Sequence, residues 1–69
     1  MYKDKRGWLY KVRPGIGEDQ YKVFYWKPRK DGCLLVGWHA SRRFNWWPTR
    51  MEAEEELRSV ALAQGWQLV

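Results

Sequence analysis

The chain is poor in the residues that carry covalent or metal chemistry. It has 69 residues, with a single cysteine and a single histidine. An internal disulfide is therefore excluded, and the paired spacing of a zinc finger or zinc ribbon is missing. Cys33 and His39 would lie about 20 Å apart on one strand at ~3.3 Å per residue, which is too far for a catalytic pair. We expect no enzyme, no metal and no cofactor.

Long apolar runs are lacking as well. Nowhere do 18 apolar residues follow one another, and the basic start of the chain, residues 1–6, precedes no apolar signal segment. The sequence thus predicts a cytoplasmic protein of bacterial or phage type, with no membrane partner. A chain of this length has room for one small core.

Basic charge and aromatic rings are abundant but unevenly distributed. Residues 1–48 carry eleven Lys or Arg against four Asp or Glu, a net charge of +7, and eleven of the twelve aromatic residues. Residues 49–69 carry two basic and four acidic residues, a net charge of −2. Positive charge beside rings is typical of a surface that binds a polyanion with stackable bases.

The residue pattern predicts an α+β fold in which a three-stranded antiparallel sheet packs on one C-terminal helix, in the order βββα. Alternation and a high content of β-branched and aromatic residues indicate the strands. They are expected at residues 8–13, 20–27 and 33–39. Residues 1–6 are predicted to be a flexible basic tail and residues 7–69 a single domain. Residues 67–69 are candidates for a short fourth strand.

The helix has the clearest local signals in the chain. Thr49 followed three residues later by Glu52 is a capping box, and Gly65 is a typical stop residue. Small and apolar residues share one face of the helix, which suits close packing against a sheet. That face consists of Ala53, Leu57, Val60, Ala61 and Gln64.

Alternation along the strands separates a core face from an open face. The predicted core side holds Trp8, Tyr10 and Val12 of the first strand, Tyr21, Val23, Tyr25 and Lys27 of the second, and Leu34, Val36, Trp38 and Ala40 of the third. The predicted open side holds Lys11, Arg13, Lys22, Phe24, Trp26, Leu35 and His39. Two other interpretations stay open. In the first, Phe24 and Trp26 are buried under the Trp46-Trp47 segment. In the second, the lysines only protect the sheet edges from aggregation.

Several of these features resemble a known family. Three strands before one helix, a basic sheet, the opening Gly7-Trp8, and Phe44 ahead of the Thr49-capped helix are similar to the AP2-like, arm-type N-terminal DNA-binding domain of phage and transposon integrases. The resemblance covers roughly residues 7–64, although the 42–48 segment is longer than the usual connection in that family.

The resemblance implies how such a sheet would bind. In that family the sheet lies in the major groove and the helix braces its back. Lys11, Arg13, Lys22 and Trp26 would then meet DNA, and Arg29 and Lys30 at a hairpin tip would touch phosphates.

Two classes of function follow from the sequence. The first is a nucleic-acid-binding module that acts as an accessory or regulatory factor, with duplex DNA as partner. Its candidate residues are Lys11, Arg13, Lys22, Phe24, Trp26, Arg29, Lys30, His39, Arg42 and Arg43. The alternative is a protein-interaction module, such as a phage-encoded adaptor or inhibitor, that docks on an acidic host surface through exposed Trp and Arg.

Overall fold

The computed structural model describes residues 1–17, 19–28 and 37–69. These residues form one antiparallel sheet of five strands and one helix, in the order β4-β3-β2-β1-β5 across the sheet. The elements are β1 (Tyr2–Lys3), β2 (Leu9–Pro14), β3 (Tyr21–Trp26), β4 (His39–Ala40), α1 (Arg50–Gln64) and β5 (Gln67–Leu68). The predicted α+β class with an antiparallel sheet and a C-terminal helix is confirmed, but the sheet has five strands rather than three.

The start of the chain belongs to the sheet and is not a flexible tail. Tyr2 pairs with Tyr10 on one side and with Leu68 on the other, so β1 lies between β2 and β5. A tight turn leads from β1 into β2, closed by the Gly7 amide donating to the Asp4 carbonyl at 3.1 Å, with Gly7 at φ 86°. β5 confirms the predicted fourth strand. Each of these two-residue strands is stabilised by its neighbour, and β1 has no local sequence signal of its own.

β2 and β3 form the central hairpin and have nearly the bounds that alternation predicts. Their register places Val12 opposite Val23, and the Gly15 amide donates to the Gln20 carbonyl at 2.7 Å. The Trp46 ring lies against Gly15, where an added Cβ would come within 2.6 Å of it. A side chain larger than hydrogen would displace that ring.

The predicted boundaries and inner face of α1 are largely confirmed. Thr49 Oγ1 accepts from the Glu52 amide at 3.3 Å, and Gly65 takes the left-handed conformation at φ 73° with its amide bonded to the Ala61 carbonyl. The buried residues of α1 are Ala53, Leu57 and Ala61. Gln64 is exposed. α1 does not have the length and apolarity that a membrane-spanning helix needs.

The core lies between α1 and one face of the β2–β3 hairpin. Its buried residues are Tyr10, Val12, Val23, Phe44, Ala53 and Leu57, and Val23 is fully enclosed. Tyr21 and Tyr25 pack against this cluster from the same side of β3. The predicted orientation of β3, with Tyr21, Val23 and Tyr25 toward the helix, is therefore correct.

The predicted faces of the third strand are inverted where they can be seen. Ala40 pairs with Phe24 and His39 with Tyr25. Because paired residues of antiparallel strands point to the same side, Ala40 lies on the open side and His39 on the helix side. Trp38 is on the open side too, with the Lys11 ammonium over its ring. Apolar character suggested the core for Trp38, but attraction between the Lys11 ammonium and its ring stabilises this position at the surface.

Residues 41–47 return along β3 after β4 ends. The Ser41 amide donates to the Val23 carbonyl at 3.1 Å, and Tyr21 and Trp47 exchange two backbone hydrogen bonds of 2.7 and 2.8 Å. Phe44 is thereby placed in the core. This segment extends the sheet edge and brings its two tryptophans to opposite sides.

Candidate nucleic-acid interface

The side of the sheet that faces away from α1, called here the open face, gathers half of the predicted site residues. Lys11 lies opposite Phe24, Arg13 opposite Lys22, and Leu9 opposite Trp26. All of these pairs point away from the buried residues Tyr10, Val12 and Val23, which alternate with them along the strands. The predicted grouping of Lys11, Arg13, Lys22, Phe24 and Trp26 on one surface is therefore observed, whereas their role in binding stays a prediction.

Three cations of the open face lie over three rings. The distances to the ring centroids are 4.2 Å from Lys11 Nζ to Trp38, 5.7 Å from Arg13 Cζ to Phe24, and 5.2 Å from Lys22 Nζ to Trp46. Such contacts hold a cation by attraction to the ring quadrupole. They also occupy ring faces that a base would need for stacking. The charges are therefore ordered along the sheet, and the rings act mainly as their supports.

Trp46 covers part of the open face, which answers one of the open interpretations in part. Its ring meets Phe24 edge-on at 6.3 Å and remains 45% exposed. Trp47 has the opposite orientation and directs its indole nitrogen to Glu56 on α1. Phe24, under the Trp46 ring, is half-buried. Trp26, at the other end of β3, is half-buried as well.

Glu56 fixes the segment that carries Trp46. Its Oε1 accepts from the Asn45 amide at 2.9 Å and from Trp47 Nε1 at 3.0 Å, and its Oε2 accepts from Asn45 Nδ2 at 2.7 Å. A charged acceptor with several donors gives strong hydrogen bonds. Glu56 is a positioning residue that sequence analysis missed, because a run of helical glutamates is usually solvated.

The open face has a uniform sign of charge in the part of the chain that the structure describes. Lys3, Lys11, Arg13 and Lys22 contribute four cations to it, with Lys3 placed there by its pairing with Leu9. The described carboxylates lie elsewhere, in turns or on α1. They are Asp4, Asp19, Glu52, Glu54, Glu55 and Glu56. A sheet surface with this potential attracts polyanions.

His39, Arg42 and Arg43 do not join this surface. His39 is on the helix side, where its ring lies 5.6 Å from that of Tyr25. Arg42 and Arg43 line a cavity on that side, and Arg43 Cζ is 5.7 Å from the Trp66 ring. Arg29 and Lys30, together with Leu34, Leu35 and Val36, lie outside the described residues. The pairing of β4 thus corrects the predicted open-face position of His39. Arg42 and Arg43, predicted to bind nucleic acid, line the cavity on the opposite side from the open-face cations.

A buried carboxylate organises the start of the chain on the helix side. The Asp4 side chain accepts hydrogen bonds from the backbone amides of Arg6 and Trp8, from the Arg6 guanidinium and from the Tyr10 hydroxyl, at 2.8 to 3.2 Å. Burial by itself raises the pKa of Asp4, but these hydrogen bonds together outweigh it and lower the pKa below 3.8. Burial and the bond to Asp4 raise the pKa of Tyr10 to about 12.

Trp38 and Trp46 are the aromatic residues of the open face that sequence analysis did not assign to the site. Both act through their rings, one under Lys11 and one beside Lys22. The composition signalled a surplus of tryptophan, yet the side each ring occupies depends on pairing with β3. Within the described residues, no group of His, Cys, Asp or Glu is arranged to hold a metal ion.

Comparisons with known proteins add no assignment. No protein-family model matches the chain, and neither the curated proteins nor the solved structures contain a match. The resemblance to integrase N-terminal domains therefore stays a prediction, and the function has to be argued from the surfaces themselves.

Proposed function

We propose that the chain is a non-enzymatic nucleic-acid-binding module that binds duplex DNA through the open face of its sheet, as an accessory or regulatory factor. The observation that carries the proposal is the set of ordered cations, Lys11, Arg13 and Lys22, each over a ring. No described carboxylate interrupts them. Phosphate contacts of this kind supply most of the affinity of DNA-binding proteins.

The arrangement favours a duplex over a single strand. Single-strand binders stack successive bases on free ring faces. On the open face, cations occupy faces of Trp38, Phe24 and Trp46. The open face is therefore better suited to contacts with the phosphate backbone of DNA than to stacking of bases.

The shape of the sheet suits a groove of DNA. The major groove, about 12 Å wide, admits a two-stranded β-ribbon, and strands lie about 4.8 Å apart. The β2–β3 hairpin forms the centre of the sheet and would enter the groove with Lys11, Arg13 and Lys22 on its outer side. The resemblance to integrase N-terminal domains implies the same docking, with α1 as the brace behind the sheet.

A matched pair of charge reversals tests this proposal. Arg13→Glu changes an exposed arginine of the open face, and Arg58→Glu makes the same change on the exposed side of α1. Binding of a fluorescently labelled duplex of mixed sequence would be measured by anisotropy between about 50 and 200 mM salt. We expect Arg13→Glu to weaken binding about tenfold and to reduce the salt slope by about 1. Arg58→Glu should leave both nearly unchanged.

The salt dependence gives an independent readout. A wild-type affinity that does not change over this range would contradict phosphate binding, since several contacts would alter it by orders of magnitude. Equal losses in the two variants would mean that net charge, rather than the open face, attracts DNA.

An acidic protein surface is the second candidate partner, and the exposure of Trp46 favours it. A ring that is 45% exposed beside Lys22 resembles the Trp and basic side chains of protein-interaction hot spots. Trp46→Ala separates the two candidates. Retention of salt-dependent duplex binding in this variant would support DNA, because Lys11 and Arg13 keep their own ring supports. Absence of any duplex binding in the wild type would move the protein partner ahead.

A further inference from the structure

The helix side of the sheet holds a cavity that the open face does not explain. It has a volume of about 450 Å³ and lies where α1 leaves the sheet uncovered, between β4 and the β1–β2 turn. Three arginines and three rings line it. They are Arg6, Arg42, Arg43, Trp8, Tyr10 and Tyr25. Its size falls within the range of about 300 to 1,000 Å³ that is usual for small-molecule sites.

The charge of the cavity is positive and unequally shared among its arginines. Arg6 is paired with Asp4, 2.9 Å from Nη2 to Oδ2, so this pair is neutral overall. Arg42 and Arg43 contribute the remaining two positive charges, and no carboxylate is among the described residues that line the cavity. A phosphomonoester carries about −1.5 to −2 at neutral pH, which matches them. Arginine is also the side chain best shaped for bidentate phosphate contacts.

Contacts among the lining residues fix the walls of the cavity. The Arg6 guanidinium lies 3.7 Å from the centre of the Trp8 ring, and Trp8 stacks on Tyr25 at 5.5 Å with 17° between the planes. The Ser41 hydroxyl, in a buried residue on the cavity wall, accepts from the Arg43 amide at 3.3 Å. One wall is therefore aromatic and the other basic.

We propose that this cavity binds a phosphomonoester of nucleotide size. Arg42 and Arg43 would contact the phosphate, and the Trp8 and Tyr25 side would accommodate the sugar and base. A free phosphate ion would fill only a small part of about 450 Å³. Arg6 and Tyr25 already occupy faces of the Trp8 ring, so a base would contact the aromatic wall through ring edges. The inference does not rest on DNA binding by the open face, because the two sites lie on opposite sides of the sheet.

The test is an NMR titration of the full chain with adenosine 5′-monophosphate, adenosine, phenyl phosphate and inorganic phosphate. We expect adenosine 5′-monophosphate to shift the amides of Trp8, Ser41 and Arg43 saturably, and adenosine to leave them unchanged. The double variant Arg42→Gln/Arg43→Gln should weaken this binding at least about tenfold, since charge-assisted hydrogen bonds are lost. The matched control, Arg50→Gln/Arg58→Gln on α1, removes the same charge and should bind normally.

Three results would overturn the proposal. The first is no saturable shift with adenosine 5′-monophosphate up to about 10 mM, a concentration that fills even a site with a Kd of about 1 mM. The second is an unchanged affinity in the Arg42→Gln/Arg43→Gln variant. The third is binding of phenyl phosphate as tight as that of adenosine 5′-monophosphate. Both variants alter exposed arginines, so loss of folding is not expected. The duplex affinity of the cavity variant, measured in parallel, shows whether the open face works independently.

A 5′-phosphorylated oligonucleotide distinguishes the source of the phosphomonoester. Binding tighter than that of adenosine 5′-monophosphate, with loss on removal of the 5′-phosphate, assigns the cavity to the end of a strand. Tighter binding of the mononucleotide assigns it to a free nucleotide. Either result supports a phosphomonoester site.

Discussion

The buried aromatic core on the helix side and the rings of the open face have different roles. On the helix side, Tyr10 is buried and stacks with Trp66 at 4.1 Å between ring centres. On the open face, Phe24, Trp38 and Trp46 lie under or beside cations and stay partly exposed. Rings of the first kind bury area and stabilise the fold, whereas rings of the second kind arrange charge.

This difference shows how a chain with few aliphatic residues can fold and still present a binding surface. Among the described residues the aliphatic core is small, with Val12, Val23 and Leu57 as its buried branched residues. Loss of one of them should cost much of the stability. Changes on the open face should act on binding instead.

The largest expected effect on stability is that of Leu57→Ala. Leu57 is 4% exposed and packs between α1 and the hairpin, and a buried leucine lost to alanine costs about 2 to 5 kcal/mol. Chemical denaturation followed by tryptophan fluorescence measures it. Trp26→Ala, on the half-buried opposite side, should cost less stability and more of the DNA affinity.

The outcome that contradicts this contrast is an unfolded Trp26→Ala protein. Trp26 would then belong to the core despite its pairing with Leu9 on the open face. A folded Trp26→Ala protein with normal DNA binding would instead remove the ring from the interface and leave the cations as its only contacts.

The second-largest expected effect on stability is that of removing the buried carboxylate of Asp4. Asp4→Ala removes five hydrogen bonds to the charged group, and we expect a loss of about 1.5 to 3 kcal/mol. Glu55→Ala, on the exposed side of α1, is the control and should change stability by less than about 0.5 kcal/mol. Equal losses would show that the carboxylate is not a structural centre.

The pH dependence of the same group has a definite sign. Because the pKa of Asp4 is lowered by folding, its contribution is present above pH 3.8 and is lost as the pH falls through the folded value. The pKa of Tyr10 is raised to about 12, so its contribution is present below pH 10 and is lost toward pH 12. In Asp4→Ala the acid loss should shrink, and an absorbance titration should show one tyrosine ionising closer to pH 10.

The smallest effect is that of the helix cap. Thr49→Ala removes the acceptor for the Glu52 amide and should cost about 0.5 to 2 kcal/mol. Thermal melting followed by circular dichroism measures it, and Thr49→Ser should restore most of the loss. An unchanged melting temperature in Thr49→Ala would mean that this hydrogen bond contributes nothing to the fold.

The sequence predicted those parts of the fold that depend on interactions between residues close together in the chain. The cap at Thr49, the stop at Gly65, the hairpin strands and the orientation of β3 depend on residues near one another in the chain. β1 and the sides of Trp38 and His39 depend on pairing with distant strands. Alternation within a segment has no information on such pairing. The strand β1 was therefore missed, and the sides of Trp38 and His39 were predicted inversely.

The candidate site was predictable to a similar degree. Lys11, Arg13, Lys22, Phe24 and Trp26 share one face because two confirmed strands set their parity. The role of Glu56 depends on donors nine and eleven residues away, at Trp47 and Asn45. The cavity requires Arg6 from the β1–β2 turn and Arg43 from the segment after β4, which are distant in the chain. Neither arrangement has a sequence pattern of its own.

The ring contacts of the open face have a consequence for the thermodynamics of association. A lysine or arginine that is free to rotate loses about 2 kcal/mol of conformational entropy when a partner fixes it. Lys11, Arg13 and Lys22 are already restricted by Trp38, Phe24 and Trp46, so part of this loss occurs during folding. The spacing of their charges is thereby set by the sheet, and a partner has to present its phosphates at matching positions.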